Sequence, residues 1–387
     1  MREPNVVINQ HGAGRLLAGH LWVYRSDVRS AAAEGGDVAR VVDERGRFLG
    51  RAFFSDRSEI CLRLVTPEDV EVDRSFLAAR IESAADRRKP AIEGAEGYRL
   101  FYAESDQIPS LVIDRYGDYL VLQTLSQATE RRKEEMVGIL VERFAPRGIL
   151  ERNDPKVRQL EGLDQRVSLL YGEVPAEVVV KENGLRLAYD LYHGQKTGGF
   201  LDQRQNRHAA AGFARGDTLD CFAGTGSFAV TLAARVSQVE AIDLSGSALV
   251  GAARNLEINA ITNVALREAN TFDLLRQYDE AGRRFETIVL DPPAFAKNKR
   301  NVSGACRGYK EINLRSMRLL RPEGCLVTCS CSHHISEGLF AQILAEAALD
   351  AGRRVQVVEK RGQAADHPAL LTMPETYYMK CFILIVL

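Results

Sequence analysis

No apolar run in the sequence reaches the roughly 20 residues that a membrane-spanning helix needs. The longest, such as CFILIVL (381–387), suits a buried strand. The opening MREPNVVINQHGAGR is polar and lacks an apolar centre, so no signal peptide is expected there. Cysteines are few and odd in number: seven, five of them between Cys221 and Cys331, without the even spacing of a disulfide framework. Reduced thiols and a cytoplasmic location are the expectation. An excess of either charge is missing too, since 51 Lys and Arg against 52 Asp and Glu leave a formal net charge of -1. Bulk electrostatics therefore demands no nucleic-acid partner, and any such surface must be local. Internal repeats and low-complexity segments are absent. What is present is 387 residues, 45% of them hydrophobic, enough for two or three domains with cores of their own.

Residues 1–72 alternate like short strands between turns: GDVARVVD, ERGRFLGRAFF, EICLRLV. This pattern predicts a small β-barrel. Residues 73–190 begin with a helix from Asp73 that Pro90 stops. They continue as hairpins around Tyr116-Gly117-Asp118 and Asn183-Gly184 with a helix, RRKEEMVGILVERF, between them, a small α+β middle domain. From 191 to 387 strands and helices alternate: DTLDCFA, SFAVTLAAR, QVEAID, SALVGAARNLEINA, ETIVLDPP, RGYKEINLRSMRLL, CLVTCSCS, SEGLFAQILAEAALDAG, with TYYMKCFILIVL as a closing strand. That order predicts a doubly wound, Rossmann-like α/β sheet.

In LDCFAGTGSF (219–228) a strand runs into a Gly-rich turn and a helix, and Gly224 and Gly226 let backbone approach a ligand at the helix N-terminus. Asp243 ends the next strand, where ribose hydroxyls can be held. The third glycine place is Ala229, which dinucleotide folds tolerate, so the glycines alone leave a nicotinamide cofactor open. DPPAFAK (291–297) separates the two: a proline-stiffened loop at the carboxyl edge of the sheet serves methyltransferases, which grip a target base there, and nicotinamide folds have no need of it. S-adenosyl-L-methionine is then expected at Asp220–Ser227, with Asp220, Phe222, Gly224 and Gly226 in the turn, Asp243 on the ribose, Asn270 of EANTF near the adenine and Asp291 also against the cofactor.

GQKTGGFLDQRQNR (194–207), DCFAGTGSFAV, DPPAFAKNK, GACRGYKEIN (304–313), TCSCS and QAADHP (363–368) together resemble the class I S-adenosylmethionine-dependent methyltransferases that form 5-methylcytosine in large-subunit (23S) rRNA. The likeness covers essentially the whole chain. It implies an N-terminal RNA-binding PUA domain, opened here by HGAGRLLAGHLWVYRSDV (11–28), and a small middle domain before the catalytic fold. It also implies Gln203 and Arg204 at the methionine end of the cofactor. The implied partner is 23S rRNA short of the mature ribosome, with no membrane and with a homodimer left open.

TCSCSHHI (328–335) poses the question of the nucleophile. Cytosine C5 is too weak a nucleophile to attack a methyl sulfonium, whereas a thiolate added at C6 makes C5 enamine-like. One cysteine and one acid are needed at adjoining strand ends, and Asp291 supplies the acid. Strand alternation puts Cys325, Cys329 and Cys331 on one face and does not choose among them. The resemblance does: its nucleophile stands seven residues after the glycine preceding this strand, and counting from Gly324 gives Cys331. A zinc site built from these cysteines and His333 is disfavoured, because an extended strand spreads them beyond one tetrahedron; no metal is expected. Ala294 stands where a related branch has a second cysteine, and an aromatic at 294, the mark of exocyclic-amine methylation, comes one residue late as Phe295. Between Lys297 and Arg315 a loop carries Lys297, Lys299, Arg300, Arg307, Lys310 and Arg315 against Glu311 alone. Phe295, Lys297, Lys299, Arg300 and Arg307 are the expected RNA contacts. The alternatives are amine methylation of RNA and a non-catalytic RNA-binding ribosome assembly factor.

Overall fold

The computed structural model describes residues 4–296 and 299–387 and divides into two units interleaved along the chain. The first unit runs to Val180 and adds Tyr189–Leu201 and Ala365–Thr376; the second holds Lys181–Ala188, Asp202–Ala364 and Tyr377–Leu387. No described helix is long and apolar enough to cross a membrane.

In the first unit a six-stranded sheet wraps a core of Val6, Ile8, Val23, Val41, Phe54 and Leu62. The strand Asn5–Ile8 and the helix Gln10–Leu17 belong to it, the helix capped by the Asn9 side chain, which accepts from the Gly12 N–H at 2.8 Å. That helix occupies the HGAGRLLAGH stretch. A five-stranded sheet follows, Gly97–Tyr102, Leu111–Tyr116, Tyr119–Thr124, Gly148–Asn153 and Arg166–Gly172, each beside the next in space. Helices Arg74–Arg88 and Lys133–Phe144 bury Leu77, Ile81, Met136, Ile139 and Leu140 in the same core. Asp73 caps the first of them, accepting from Phe76 N–H at 2.8 Å. Ala365–Thr376 is built into this unit: the Asp366 carboxylate accepts from the Arg99 N–H at 2.8 Å, and its carbonyl from Arg88 Nε at 3.1 Å.

The strands Glu177–Glu182 and Leu185–Asp190 pair as a hairpin turned at Asn183 and Gly184, both at positive φ (50° and 84°) as an Asn-Gly turn requires. Its turn end, Lys181–Ala188, lies in the second unit. There Glu182 forms a buried pair with Arg207 (Nη2 to Oε2, 2.7 Å), and Asn255 accepts from the Ala188 N–H at 2.7 Å.

The second unit is a seven-stranded sheet. We label its strands β1 (Asp217–Cys221), β2 (Gln238–Asp243), β3 (Val264–Glu268), β4 (Phe285–Leu290), β5 (Leu320–Ser330), β6 (Val355–Arg361) and β7 (Lys380–Val386). Its helices are α1 (Arg204–Ala211), α2 (Ser227–Leu232), α3 (Gly246–Ile258), α4 (Thr271–Glu280), α5 (Val302–Leu319) and α6 (Glu337–Ala351). The spatial order is β3-β2-β1-β4-β5-β7-β6, all parallel except β7, which runs antiparallel to β5 and β6. β1, β4 and the later part of β5 (Gly324–Ser330) are nearly continuously buried because the sheet is covered on both faces. The order reverses between β1 and β4, and the ligand crevice of such sheets opens at the carboxyl ends of those strands.

Candidate active site

β1 ends in Asp220-Cys221, and the chain enters the turn through Phe222, Gly224 and Gly226 at φ 62°, 55° and 74°. Left-handed backbone closes the turn on itself, the Gly226 N–H donating to the Ala223 carbonyl at 2.8 Å, and an added Cβ on Gly224 would meet only open space. Two neighbours fix the turn. The Asp243 carboxylate, at the end of β2, accepts from the Gly224 N–H at 2.8 Å and with its other oxygen from the Ser245 N–H at 2.8 Å. Asn255 donates to the Thr225 carbonyl at 2.9 Å. Asp220 is 1% exposed; its Oδ2 accepts from the Ala229 N–H at 3.0 Å, and its Oδ1 is buried without a partner. Desolvation pushes the Asp220 carboxyl up to about 8, the Ala229 N–H pulls against that shift, and the charges of Asp291 and Asp243 add to it. A bare buried acceptor beside a Cβ-free turn fits an S-adenosylmethionine with its amino and ribose groups at this edge.

Asn270 also sits at this edge, as N-cap of α4, its side-chain oxygen accepting from the Phe272 N–H at 2.9 Å. Phe272, which the sequence reading passed over, joins Phe222 and Phe295 in an aromatic group with centroids 5.8–6.5 Å apart, and Phe295 lies 4.6 Å from the Tyr309 ring.

The second half of the site follows from strand register. Leu290 pairs with Thr328, so Asp291-Pro292 leaves β4 beside the last residues of β5, Cys329 and Ser330, with Cys331 just beyond them. Cys331 Sγ approaches the Pro292 carbonyl at 3.9 Å. Asp291 is held by Gln203, whose Nε2 donates to Oδ1 at 2.8 Å, and Gln203 is held by Asn206 at 2.7 Å. Gln203 therefore orients the acid, and Arg204 beside it is 2% exposed. Asp202 accepts from the Tyr378 hydroxyl at 2.6 Å, so the DQRQNR end of that segment (202–207) works largely as a buried scaffold under the acid. Ser332 is tied on three sides: its Oγ accepts from the Ala296 N–H at 3.2 Å and lies 2.9 Å from Tyr309 Oη, and its carbonyl accepts from Lys380 Nζ at 2.7 Å. Neither Tyr309 nor Lys380 carried a pattern that singled it out.

The three cysteines of β5 have different surroundings. Cys325 and Cys329 are fully buried, and Cys331 is half-buried at the strand end. Burial pushes the Cys325 thiol up to about 12. A hydrogen bond with Cys381, and then desolvation, hold that of Cys329 well above the ordinary thiol range. Among the described residues no cluster of three or more His, Cys, Asp or Glu could hold a metal.

The basic stretch needs correction. Lys299–Asn301 is a short 3-10 turn, and Val302–Leu319 is the helix α5. Lys310 is engaged by Asp350 at 2.8 Å, and Arg315 by Asp279 and Glu311 at 2.8 and 2.9 Å. Arg300 is exposed, and Arg307 is exposed with its guanidinium on Ser303. Lys297 lies outside the described residues, and of Lys299 only the backbone is described.

Comparison with known proteins agrees with this geometry. A PUA-like domain family matches residues 6–67, and the S-adenosylmethionine-dependent methyltransferase family matches residues 158–372. The fold, the turn and this match define an S-adenosylmethionine-dependent methyltransferase. Among curated relatives, ribosomal RNA large subunit methyltransferase I of Shewanella amazonensis is 44% identical over 371 residues, covering 93% of this chain and 94% of its own. That of Tolumonas auensis is 43% identical over 376 residues (94% and 95%). The chain belongs to the ribosomal RNA large subunit methyltransferase I family. Solved structures share the fold at lower identity. One, described as a SAM-dependent methyltransferase from Streptococcus mutans, is 20% identical with a TM-score of 0.84, covering 99% of this chain and 100% of that one. Another, a methyltransferase complexed with SAH, is 21% identical with a TM-score of 0.86 and the same coverage.

Proposed function

We propose that this enzyme forms 5-methylcytosine in 23S rRNA, with Cys331 as nucleophile and Asp291 as the acid. The observation that carries the reading is the contrast along β5: the two deeper thiols are sealed and held protonated, while Cys331 emerges beside the Asp291-Pro292 backbone. S-adenosylmethionine, when bound, supplies an electrophilic methyl group. The Cys331 thiolate adds to C6 of the base, and Asp291, aimed by Gln203, holds a proton at N3, where the addition develops charge. C5, now enamine-like, takes the methyl group. The C5 proton then leaves to water, the C6–S bond breaks, and the sulfur departs with its electron pair. Asp220, Phe222, Gly224, Gly226, Asp243 and Asn270 line the cofactor edge, and Arg204 backs its methionine end. Residues 1–72 and the Phe295–Arg307 surface bind RNA, 73–190 connect, and 191–387 carry the chemistry. The substrate is rRNA short of the mature ribosome, in the cytoplasm, and light scattering tests the homodimer.

The deciding experiment uses RNA carrying 5-fluorocytosine at the target position. Fluorine blocks the final elimination, so a covalent adduct is expected on the Cys331 peptide. An adduct on Cys329 would reassign the nucleophile, and its absence from both would favour amine methylation.

A further inference from the structure

One charged side chain lies inside the protein against the strand that ends in Cys331. Lys380 opens β7 opposite Ser330 in the antiparallel register and is 3% exposed. Its Nζ donates to the carbonyl of Ser332 at 2.7 Å and to that of Tyr378 at 2.8 Å. Lys380 thus meets the chain on either side of Cys331, its backbone across the ladder at Ser330 and its ammonium at the Ser332 carbonyl. An apolar residue would fill this end of the strand without the cost of taking a charge out of water. Burial draws the Lys380 amine down to about 8, and interaction with Cys331 pulls it back up. The same interaction, seen from the sulfur, favours thiolate.

We propose that Lys380 is a positioning residue for Cys331: its buried ammonium fixes the Ser330–Ser332 segment and sets a positive charge beside the sulfur, so that the thiol releases its proton to solvent and stands as thiolate before the base arrives. This rests on Cys331 being the nucleophile. Among the described residues, the titratable groups near the sulfur include Tyr309 from α5, Asp291 from the segment after β4, Cys381 from β7, and Cys329 and His333 along its own stretch of chain. Tyr309 stays neutral, its hydroxyl pushed up by burial. Asp291 brings no positive charge to the sulfur, which leaves Lys380 as the buried cation of the set. Because its amine titrates at about 8, its help is present below that pH and fades as pH rises through it.

The test measures the rate of iodoacetamide alkylation of Cys331 against pH, with peptide mapping to separate it from Cys306, in the full-length protein and in Lys380→Met. In the unsubstituted protein the midpoint is expected below the free-thiol value of about 8.5. In Lys380→Met it should rise by about one unit or more. Methyl transfer near pH 7 should then fall by about tenfold for each unit and recover as pH is raised. S-adenosylmethionine affinity by calorimetry should be unchanged, and Lys380→Arg should restore the low midpoint. An unshifted midpoint in folded Lys380→Met overturns the proposal. If Lys380→Met does not fold, the unsubstituted protein decides alone, because a midpoint at or above about 8.5 refutes the charge effect. Failure of the nucleophile reading looks different: no 5-fluorocytosine adduct forms on Cys331, while the alkylation profile stays measurable.

Discussion

Gly224 and Gly226 occupy the same left-handed region, at φ 55° and 74°, and differ in what an added methyl group would meet. At Gly224 there is nothing within 4 Å, whereas at Gly226 the new carbon would stand 3.0 Å from the Ala252 Cβ and 3.4 Å from its Cα. Ala252 is fully buried on α3, so relief requires the helix backbone to shift. Both alanine substitutions carry the left-handed strain of about 1–2 kcal/mol. Both also gain about 0.4–1 kcal/mol from a stiffer unfolded chain. These terms cancel between the two variants. The remaining difference is the overlap at Ala252, about 1–3 kcal/mol by the measure of overpacked cores. Gly226→Ala should therefore unfold at a lower urea midpoint than Gly224→Ala, with equal slopes. Cofactor affinity should rank them in reverse. The open space beside Gly224 is where the ligand's backbone approach is expected, so calorimetry should show Gly224→Ala losing about tenfold or more in S-adenosylmethionine affinity, about 1.4 kcal/mol. Equal stability losses, or unchanged affinity in Gly224→Ala, would refute the assignment of one glycine to packing and the other to the ligand.

Glu182→Gln should cost about 3–5 kcal/mol in denaturant titration, because it removes the carboxylate charge from a buried ion pair with Arg207. Asp220→Asn should change the pH dependence of stability. The folded carboxyl sits at about 8 against an ordinary 3.8, so its contribution is present below about pH 4 and lost as pH rises through 8. Urea midpoints should then favour the variant at pH 8 and converge toward pH 4. Cys331→Ala should abolish methyl transfer with cofactor binding intact, while Cys329→Ala should keep most activity at a stability cost of about 1 kcal/mol for the small cavity. Reversing Lys297 and Arg300 should weaken RNA binding and flatten its salt dependence, with S-adenosylmethionine affinity unchanged.

The second unit was readable in the sequence because its strands are long, apolar and separated by helices, and because chemistry is announced where they end. LDCFAGTGSF and DPPAFAK stand at the carboxyl ends of β1 and β4 as the alternation required. Asp73 and Asn183-Gly184 were equally plain, since capping and tight turns depend on the residues themselves. Three features were hidden. β6 exposes much of its length as an edge strand, and its VQVVEKR lacks a buried strand's composition. Lys310 and Arg315 of α5 read as part of a cationic RNA-facing stretch because their partners Asp350 and Asp279 are distant in sequence. Lys380 looks like one charge in an apolar strand, and only register with Ser330 reveals what it touches.

The interleaving of the two units has a consequence for how the chain is made. The hydrogen bonds from Arg99 and Arg88 to Asp366 span 267 and 278 residues, so the first unit has acceptors missing while all of that chain is synthesised. At about 5–20 residues per second the wait lasts tens of seconds, far longer than a small domain needs to fold. A nascent first unit must hold together without its last strip. Chaperones that bind exposed backbone would find it in that interval, before the strip arrives to close it.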